Sequence, residues 1–141
     1  MEIKKVVVIG SGTMGSGIAA HLCNANIPVT LLDLKTEISK KARDRIHKSR
    51  PPLLLDKSKI NNIKVGNILD DFAEVNEADW VVEAVVERID IKHNIYEKIF
   101  KERKSGAIVS SNTSSIPIKV LSQNLSNEEK KDFCITHFFN P

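Results

Sequence analysis

Short, continuous apolar runs alternate with amphipathic or polar stretches along the chain. Runs rich in β-branched residues predict six strands, at 5–9, 29–33, 63–65, 80–85, 107–110 and 133–136. Such runs are typical of parallel strands that are buried on both faces. Helical patterns are predicted at 18–23, 36–49, 90–103 and 116–121. Strands that alternate with helices predict an α/β fold, a doubly wound and mostly parallel sheet with helices on both faces.

The length and composition agree with one globular domain, which we expect to occupy residues 1–141. The chain has 141 residues, of which 41% are hydrophobic and 28% charged. Only residues 50–62 look loop-like, because Pro51 and Pro52 end the helix before them. No apolar run approaches the roughly 20 residues that cross a bilayer, so no membrane span is expected.

The start of the chain and its cysteine content both indicate the cellular compartment. Residues 1–5 lack the apolar region of a secretory signal. Cys23 and Cys134 are too few for a disulfide framework, and both lie in apolar runs. These features predict a reducing, cytoplasmic setting.

Positive charge is concentrated in residues 35–60, here called the basic arm. The arm holds nine Lys/Arg and three acids, which gives it +6 in a chain whose net charge is +3. Such a segment is either a solvated helix face or a partner for phosphates. A nucleic-acid partner is disfavoured, because the arm has no aromatic residue on which bases could stack.

A glycine-rich loop follows the first predicted strand and opens a helix. Residues 10–15 read Gly-Ser-Gly-Thr-Met-Gly, which fits the G-x-G-x-x-G pattern in its required context. Gly10 allows the tight turn, Gly12 lets a pyrophosphate approach the backbone, and Gly15 lets the helix pack closely. The helix N-terminus offers free N–H groups to the phosphates. The loop predicts a Rossmann-type fold whose cofactor-binding residues include Gly10, Gly12, Thr13, Met14 and Gly15.

An acid at the end of the second predicted strand indicates which dinucleotide binds. Asp33 follows Gly15 by 18 residues. A carboxylate there would accept hydrogen bonds from both hydroxyls of the adenosine ribose and would repel a 2′-phosphate. NAD is therefore expected in preference to NADP. The alternative is a structural turn followed by an incidental acid.

Four segments together resemble the NAD-dependent L-3-hydroxyacyl-CoA dehydrogenases of fatty-acid β-oxidation. The segments are the glycine loop, residues 80–87 (Trp-Val-Val-Glu-Ala-Val-Val-Glu) with Lys92, residues 110–115 (Ser-Ser-Asn-Thr-Ser-Ser) and residues 137–141 (His-Phe-Phe-Asn-Pro). The resemblance implies an acyl-CoA substrate and the reversible oxidation of an L-3-hydroxyacyl-CoA to the 3-oxoacyl-CoA. Residues 50–67 look most like the multifunctional members, which also carry an enoyl-CoA hydratase domain.

The resemblance also implies roles for individual residues. His137 matches the catalytic base, and a neutral imidazole can take the hydroxyl proton while hydride leaves carbon. Ser114 matches a serine that contacts the nicotinamide side and the 3-oxygen of the substrate. The remaining cofactor-binding matches are Ala84, Val85, Val86, Glu87, Lys92 and Asn140. No metal is expected.

Several of these matches have plainer alternatives. Glu87 and Lys92 match positions near the nicotinamide ribose, where they could hold its hydroxyls or each other, or simply form a surface ion pair. Serine and asparagine clusters are also common turn and cap formers, and this is the expected role of Asn112 and Ser115. Glu83 interrupts an apolar strand and needs a partner if it is buried.

Two parts of the family pattern have no match in residues 1–141: a glutamate that orients the base, and a helical domain that closes over the acyl-CoA and forms the homo-oligomer. We therefore expect NAD(H) binding with little or no turnover by this chain alone. Coenzyme A phosphates could meet the basic arm, although no single lysine or arginine can be assigned. A free-standing NAD-binding or redox-sensing module is the alternative, and it would not need Ser114 and His137. Rossmann dehydrogenases that act on 3-hydroxy acids without CoA are the nearest enzymatic alternative.

Overall fold

Six parallel strands form one sheet in residues 1–139, the part of the chain that a computed structural model describes. The strands are β1 Val6–Ile9, β2 Val29–Asp33, β3 Ile63–Asn67, β4 Trp80–Glu83, β5 Ile108–Ser111 and β6 Phe133–Ile135. The helices are α1 Thr13–Asn24, α2 Thr36–Lys48, α3 Ile89–Glu102, α4 Ile118–Leu121 and α5 Asn127–Lys130. Short 3₁₀ turns cover Lys57–Asn62 and Phe72–Glu77.

The strand order is β3-β2-β1-β4-β5-β6, and every pairing is parallel. The chain therefore moves outward from β1 to β3, returns to the middle of the sheet, and moves outward again from β4 to β6. The connections that follow β1 and β4 consequently diverge, which leaves a crevice at the carboxyl ends of these two strands. The order confirms the predicted Rossmann-type sheet.

The strand β1 is buried on both faces of the sheet, as its unbroken apolar sequence predicts. Its four residues are fully buried. Val6 and Val8 pack into a core that includes residues of α1 and α2, whereas Val7 and Ile9 pack into a second core with α3. This division follows from the two-residue period of a strand, which turns successive side chains to opposite faces.

The first helix begins earlier than predicted. Residues 18–23 were expected to be helical and 10–17 to be loop, but α1 starts at Thr13 and contains Gly15 and Gly17. Glycine has low helix propensity, which hides this first turn in the sequence. Tertiary packing overrides that preference, because a Cβ at Gly15 would lie 1.8 Å from the carbonyl oxygen of Gly10.

The fourth strand and the fourth helix also differ from the prediction at their ends. The strand was expected to reach residue 85 but ends at Glu83. The N–H of Ala84 still donates to Ile9 O at 2.8 Å, but the N–H of Val85 donates to the Glu83 carboxylate at 2.9 Å, which ends the ladder. The helix expected at 116–121 begins at Ile118, with Pro117 in extended conformation at its N-cap.

Three short elements were not predicted. Residues 50–62, expected to be a loop, contain the 3₁₀ turn Lys57–Asn62, which begins where the Asp56 carboxylate accepts the N–H of Ser58 at 2.9 Å. The turn Phe72–Glu77 and helix α5 are each too short to show a hydrophobic period. A capping box between Ser126 and Glu129 opens α5.

Two glycines of α1 provide a matched test of this packing. We expect Gly15→Ala to lower the free energy of unfolding by more than about 2 kcal/mol, because the added methyl group collides with backbone. Gly17→Ala should raise it by about 0.5–1 kcal/mol, because a Cβ there meets no atom within 4 Å. Urea unfolding of the two variants and the wild type measures both effects. Equal stability of the two variants would contradict the close contact at Gly15.

Candidate functional site

The glycine loop lies directly against the end of β4. Gly10 has a φ of +101°, and a Cβ there would lie 2.4 Å from the carbonyl oxygen of Ala84. At Gly12, by contrast, a Cβ would meet no atom within 4 Å, so this glycine faces open space. Gly10 and Gly15 thus allow the backbone to pack closely, and Gly12 leaves room for a ligand to approach it. This arrangement fits the roles that the G-x-G-x-x-G pattern predicts.

The first turn of α1 is available to an anion. The N-cap residue is Gly12, and within residues 1–139 no side chain caps this helix. Its first N–H groups lack an intrahelical acceptor and carry the positive end of the helix dipole. Gly12, Thr13 and Met14 line the cleft between the loop and β4. The residues present therefore fit a pyrophosphate at this position.

Asp33 lies beside the glycine loop and is bound to it. Its Oδ2 accepts the N–H of Ser11 at 2.8 Å and also the Ser11 hydroxyl, and its Oδ1 accepts the N–H of Leu34 at 2.7 Å. A carboxylate offers about four acceptor positions. Three are occupied here, so a second ribose hydroxyl could bind only if the Ser11 hydroxyl rotated away.

A cation of the basic arm, Arg45, contacts the glycine loop beside Asp33. Arg45 on α2 is exposed, and its Nη2 donates to the carbonyl oxygen of Ser11 at 3.1 Å. No sequence pattern indicates a role for Ser11 or Arg45. Ser11 occupies a variable position of the glycine pattern, and Arg45 is one of nine basic residues in the arm with no distinguishing spacing.

The cleft at the carboxyl ends of β1, β4, β5 and β6 has a volume of about 480 Å³. It brings together most of the residues that the sequence analysis selected, namely Gly12, Thr13, Met14, Ala84, Val85, Val86, Glu87, Lys92, Ser114 and His137. Gly10 and Gly15 lie behind it as packing residues, and Asp33 is not part of its lining. Asn140 lies outside the described residues.

Glu87 is the most heavily hydrogen-bonded group of the cleft wall. Its Oε1 lies 3.0 Å from Lys92 Nζ, and its Oε2 accepts the hydroxyls of Thr113 and Ser115 at 2.9 Å each. The N–H of Ser114 points to the same oxygen at 3.4 Å. Partial burial opposes ionisation, but the Lys92 ammonium and the two hydroxyls outweigh it and lower the pKa of Glu87 to about 2.

Lys92 is buried, so the interpretation of Glu87 and Lys92 as a surface ion pair is wrong. Only 1% of the Lys92 side chain is exposed, and its ammonium lies 2.6 Å from Glu83 as well as 3.0 Å from Glu87. Helix α3 turns Lys92 and Tyr96 inward, one turn apart, together with the apolar residues Ile95 and Ile99. The partner that a buried Glu83 requires is therefore Lys92.

The segment that carries His137 is attached to the loop after β5. The N–H of Thr136 donates to Ser111 O at 3.0 Å, and the N–H of Phe138 donates to Asn112 Oδ1 at 2.8 Å. His137 itself is exposed to the cleft, and the centroid of its ring lies 4.6 Å from that of Phe139. Ser114 is also exposed, so both groups are accessible to a ligand.

The strand order and the glycine loop define the class of protein as a dinucleotide-binding domain of the Rossmann type. The family profile described as 3-hydroxyacyl-CoA dehydrogenase, NAD binding domain, matches residues 5–141. The chain therefore belongs to the NAD-binding domains of the 3-hydroxyacyl-CoA dehydrogenases, and NAD is the cofactor of this domain.

Relatives and solved structures agree with that assignment. The chain is 46% identical to a fatty acid oxidation complex trifunctional enzyme of Rickettsia felis, over 99% of this chain and 20% of that protein. It is 42% identical to a 3-hydroxyacyl-CoA dehydrogenase of Deinococcus radiodurans, over 100% of this chain and 43% of that protein. The chain superposes on the crystal structure of 3-hydroxybutyryl-CoA dehydrogenase from Escherichia coli with a TM-score of 0.86 and 28% identity. The match covers 100% of this chain and 30% of the Escherichia coli chain. The chain thus spans less than half the length of these proteins.

No helix within residues 1–139 is both long and apolar enough to cross a membrane. Cys23 and Cys134 are free thiols. Burial raises the pKa of both, so neither is an activated nucleophile.

The lowered pKa of Glu87 predicts an acid-dependent contribution to stability. The folded-state pKa of about 2 lies below the ordinary value of 4.5, so ionised Glu87 stabilises the fold fully above pH 4.5. This contribution is lost as the pH falls from 4.5 to about 2. We expect Glu87→Gln to be less stable than the wild type at pH 7, and the difference to shrink toward zero near pH 2.

Urea unfolding at a series of pH values measures this difference. The control is Glu97→Gln, which removes an exposed helix-surface carboxylate 3.5 Å from Lys101 and should change stability by less than about 0.5 kcal/mol at any pH. A constant difference between Glu87→Gln and the wild type from pH 7 to pH 2 would contradict the assigned pKa.

Proposed function

We propose that this chain supplies the cofactor half of an enzyme that reversibly oxidises a 3-hydroxyacyl-CoA to the 3-oxoacyl-CoA with NAD. The observation that carries the proposal is the shared cleft, which presents Ser114 and His137 opposite the glycine loop of the dinucleotide site. A domain that only sensed NAD would need the glycine loop but neither of those two side chains. The retained serine and histidine therefore favour the dehydrogenase over the sensor.

His137 is proposed as the base that takes the hydroxyl proton of the alcohol. The imidazole is exposed in the cleft and held in place through its neighbours Thr136 and Phe138. Bound NAD⁺ supplies the hydride acceptor. A neutral imidazole accepts the proton in the forward direction, and the imidazolium returns it in the reverse direction.

Ser114 is proposed to bind the reacting oxygen. A hydroxyl suits both states of that oxygen, because it accepts from the alcohol and donates to the ketone. The contact of Ser114 with Glu87 is made by its backbone N–H, so the Ser114 hydroxyl is available to the substrate. Glu87 is proposed to accept a hydroxyl of the nicotinamide ribose through its Oε1, whose other contact is Lys92.

Further features of the enzyme are proposed with it. The substrate class follows from the family. The basic arm is the proposed partner for coenzyme A phosphates, because it carries +6 of charge and its Arg45 contacts the glycine loop at Ser11. Homo-oligomerisation through a further helical domain and a cytoplasmic location are also proposed, and the free thiols support a reducing compartment. The resemblance of residues 50–67 to multifunctional members stays a prediction, since relatives of both lengths match.

Asp33 is expected to decide between NADH and NADPH. Its carboxylate would repel a 2′-phosphate, so the wild type should bind NADH at least about tenfold more tightly than NADPH. We expect Asp33→Asn to remove this preference, because Arg45 beside Ser11 then meets the phosphate without an opposing charge. Fluorescence titration with both cofactors measures the ratio of the two dissociation constants.

The control for Asp33 is Glu128→Gln, which removes one exposed negative charge from α5 before β6, at the opposite edge of the sheet. It should leave the ratio unchanged. Equal affinity of the wild type for NADH and NADPH would refute the role of Asp33.

His137→Gln in the whole protein should lower turnover of 3-hydroxybutyryl-CoA by about 100-fold or more, because the base is lost. The dissociation constant of NADH should change by less than about twofold, since the imidazole is expected to act on the substrate. Steady-state kinetics and an NADH titration of the same preparation separate the two effects. Near-normal turnover would show that His137 is not the base.

A further inference from the structure

Glu83 is a fully buried acid that the proposed function does not use. It is the last residue of β4, and its two carboxylate oxygens face different parts of the protein. Oε1 faces the core and accepts the hydroxyls of Tyr96 at 2.5 Å and Ser111 at 2.7 Å. Oε2 faces the cleft wall and accepts Lys92 Nζ at 2.6 Å and the N–H of Val85 at 2.9 Å. The core side anchors the carboxylate, and the cleft side is free to hold a neighbour in place.

The Lys92 ammonium is held between two carboxylates and approaches a third acceptor. Its three donors point to the carboxylates of Glu83 and Glu87 and, at 3.5 Å, to the carbonyl oxygen of Val85. A ribose hydroxyl that bound Lys92 would compete with the Val85 carbonyl, which is the longest of the three contacts. Lys92 thus holds Glu87 in place, and its direct contact with the cofactor stays a prediction.

Glu87 carries the connection onward to the loop after β5. Its Oε1 is held by Lys92, and its Oε2 accepts the hydroxyls of Thr113 and Ser115. The same oxygen receives the N–H of Ser114. A continuous chain of hydrogen bonds and ion pairs thus runs from the core through Glu83, Lys92 and Glu87 to the backbone of Ser114.

We infer that Glu83 is a positioning residue for the nicotinamide half of the site. Its buried carboxylate fixes the Lys92 ammonium, the ammonium fixes Glu87, and Glu87 fixes the loop of Ser114. The inference rests on the proposed function, because it assigns Glu87 and Ser114 to the side of the cleft where nicotinamide and substrate meet.

The effect should be confined to one half of the dinucleotide. Within residues 1–139, the hydrogen-bond partners of the Glu83 carboxylate lie on α3, on β5 and directly after β4. None of them belongs to the glycine loop or to the hydrogen-bond partners of Asp33. ADP occupies only the adenosine and phosphate part of the site, so it reports on the half that Glu83 does not support.

The test compares NADH with ADP on Glu83→Gln, which keeps the shape of the side chain and removes its charge. We expect the dissociation constant of NADH to rise about tenfold, and that of ADP to stay within about twofold of the wild type. Titration calorimetry measures both ligands on the same preparation. The control is Tyr96→Phe, which removes one hydrogen bond on the core side and should lower the melting temperature without changing the ratio of the two constants.

A second variant covers the case in which an unpaired Lys92 prevents folding. Glu83→Gln combined with Lys92→Met removes both charges of the buried pair, and such neutral replacements are often well tolerated. It should show the same selective loss for NADH, because Glu87 has lost its anchor. If either variant bound both ligands with wild-type affinity, or weakened both equally, Glu83 would be merely structural and the inference would be wrong.

Failure of the proposed function has a different outcome. A wild-type chain that bound neither ADP nor NADH would overturn both proposals at once. The other outcome is that the wild type binds both ligands and Glu83→Gln has the same ratio of the NADH and ADP dissociation constants as the wild type. That outcome would overturn only the role of Glu83.

Discussion

The close approach of the glycine loop to the end of β4 is the constraint on which the cleft depends. Gly10 lies so near the Ala84 carbonyl that no side chain fits, and Gly15 packs even more closely on Gly10. Because these two contacts are backbone to backbone, they place the start of α1 directly over the gap between β1 and β4. The sheet reverses its strand order at the same gap, so the positive end of the helix meets the one crevice that the topology leaves open.

The second constraint is electrostatic and lies in the charged cluster of the cleft wall. Two carboxylates, Glu83 and Glu87, share the single ammonium of Lys92, and Lys92 and Glu83 are removed from water. Breaking such a buried pair by removing one partner costs about 3–5 kcal/mol, whereas keeping it contributes little net stability. Burial and the neighbouring Glu83 carboxylate also raise the pKa of Tyr96, which keeps its hydroxyl as a donor. The buried Glu83–Lys92 pair therefore fixes the arrangement of the cleft wall more than it adds to the free energy of unfolding.

The sequence predicts the sheet well because its signal is local. Each strand is a run of apolar residues, and the glycine pattern lies between a strand and a helix, so the Rossmann-type fold and the glycine loop were predictable from these patterns. The other predicted residues of the cleft followed from the family resemblance. The start of α1 was not, since Gly15 and Gly17 disguise a helical turn that only packing against Gly10 explains. The buried state of Lys92 and the link from Arg45 to Ser11 depend on which residues meet across the fold, and spacing along the chain does not contain that information.

The order of chemical groups along the carboxyl edge of the sheet matches the order of groups in a dinucleotide. In space the strands run β2, β1, β4, β5 and β6. The groups that follow them are, in that order, the Asp33 carboxylate, the helix start after Gly12, the Glu87 carboxylate, Ser114 and His137. An acceptor, an anion site and a second acceptor match the ribose, pyrophosphate and ribose of an extended dinucleotide. A hydroxyl and an imidazole come next along this edge, and in the proposed function they meet the substrate alcohol beside the nicotinamide. The topology that places β1 between β2 and β4 thus converts five positions far apart in the chain into one linear site, and the same order would be lost if any two of these strands exchanged places.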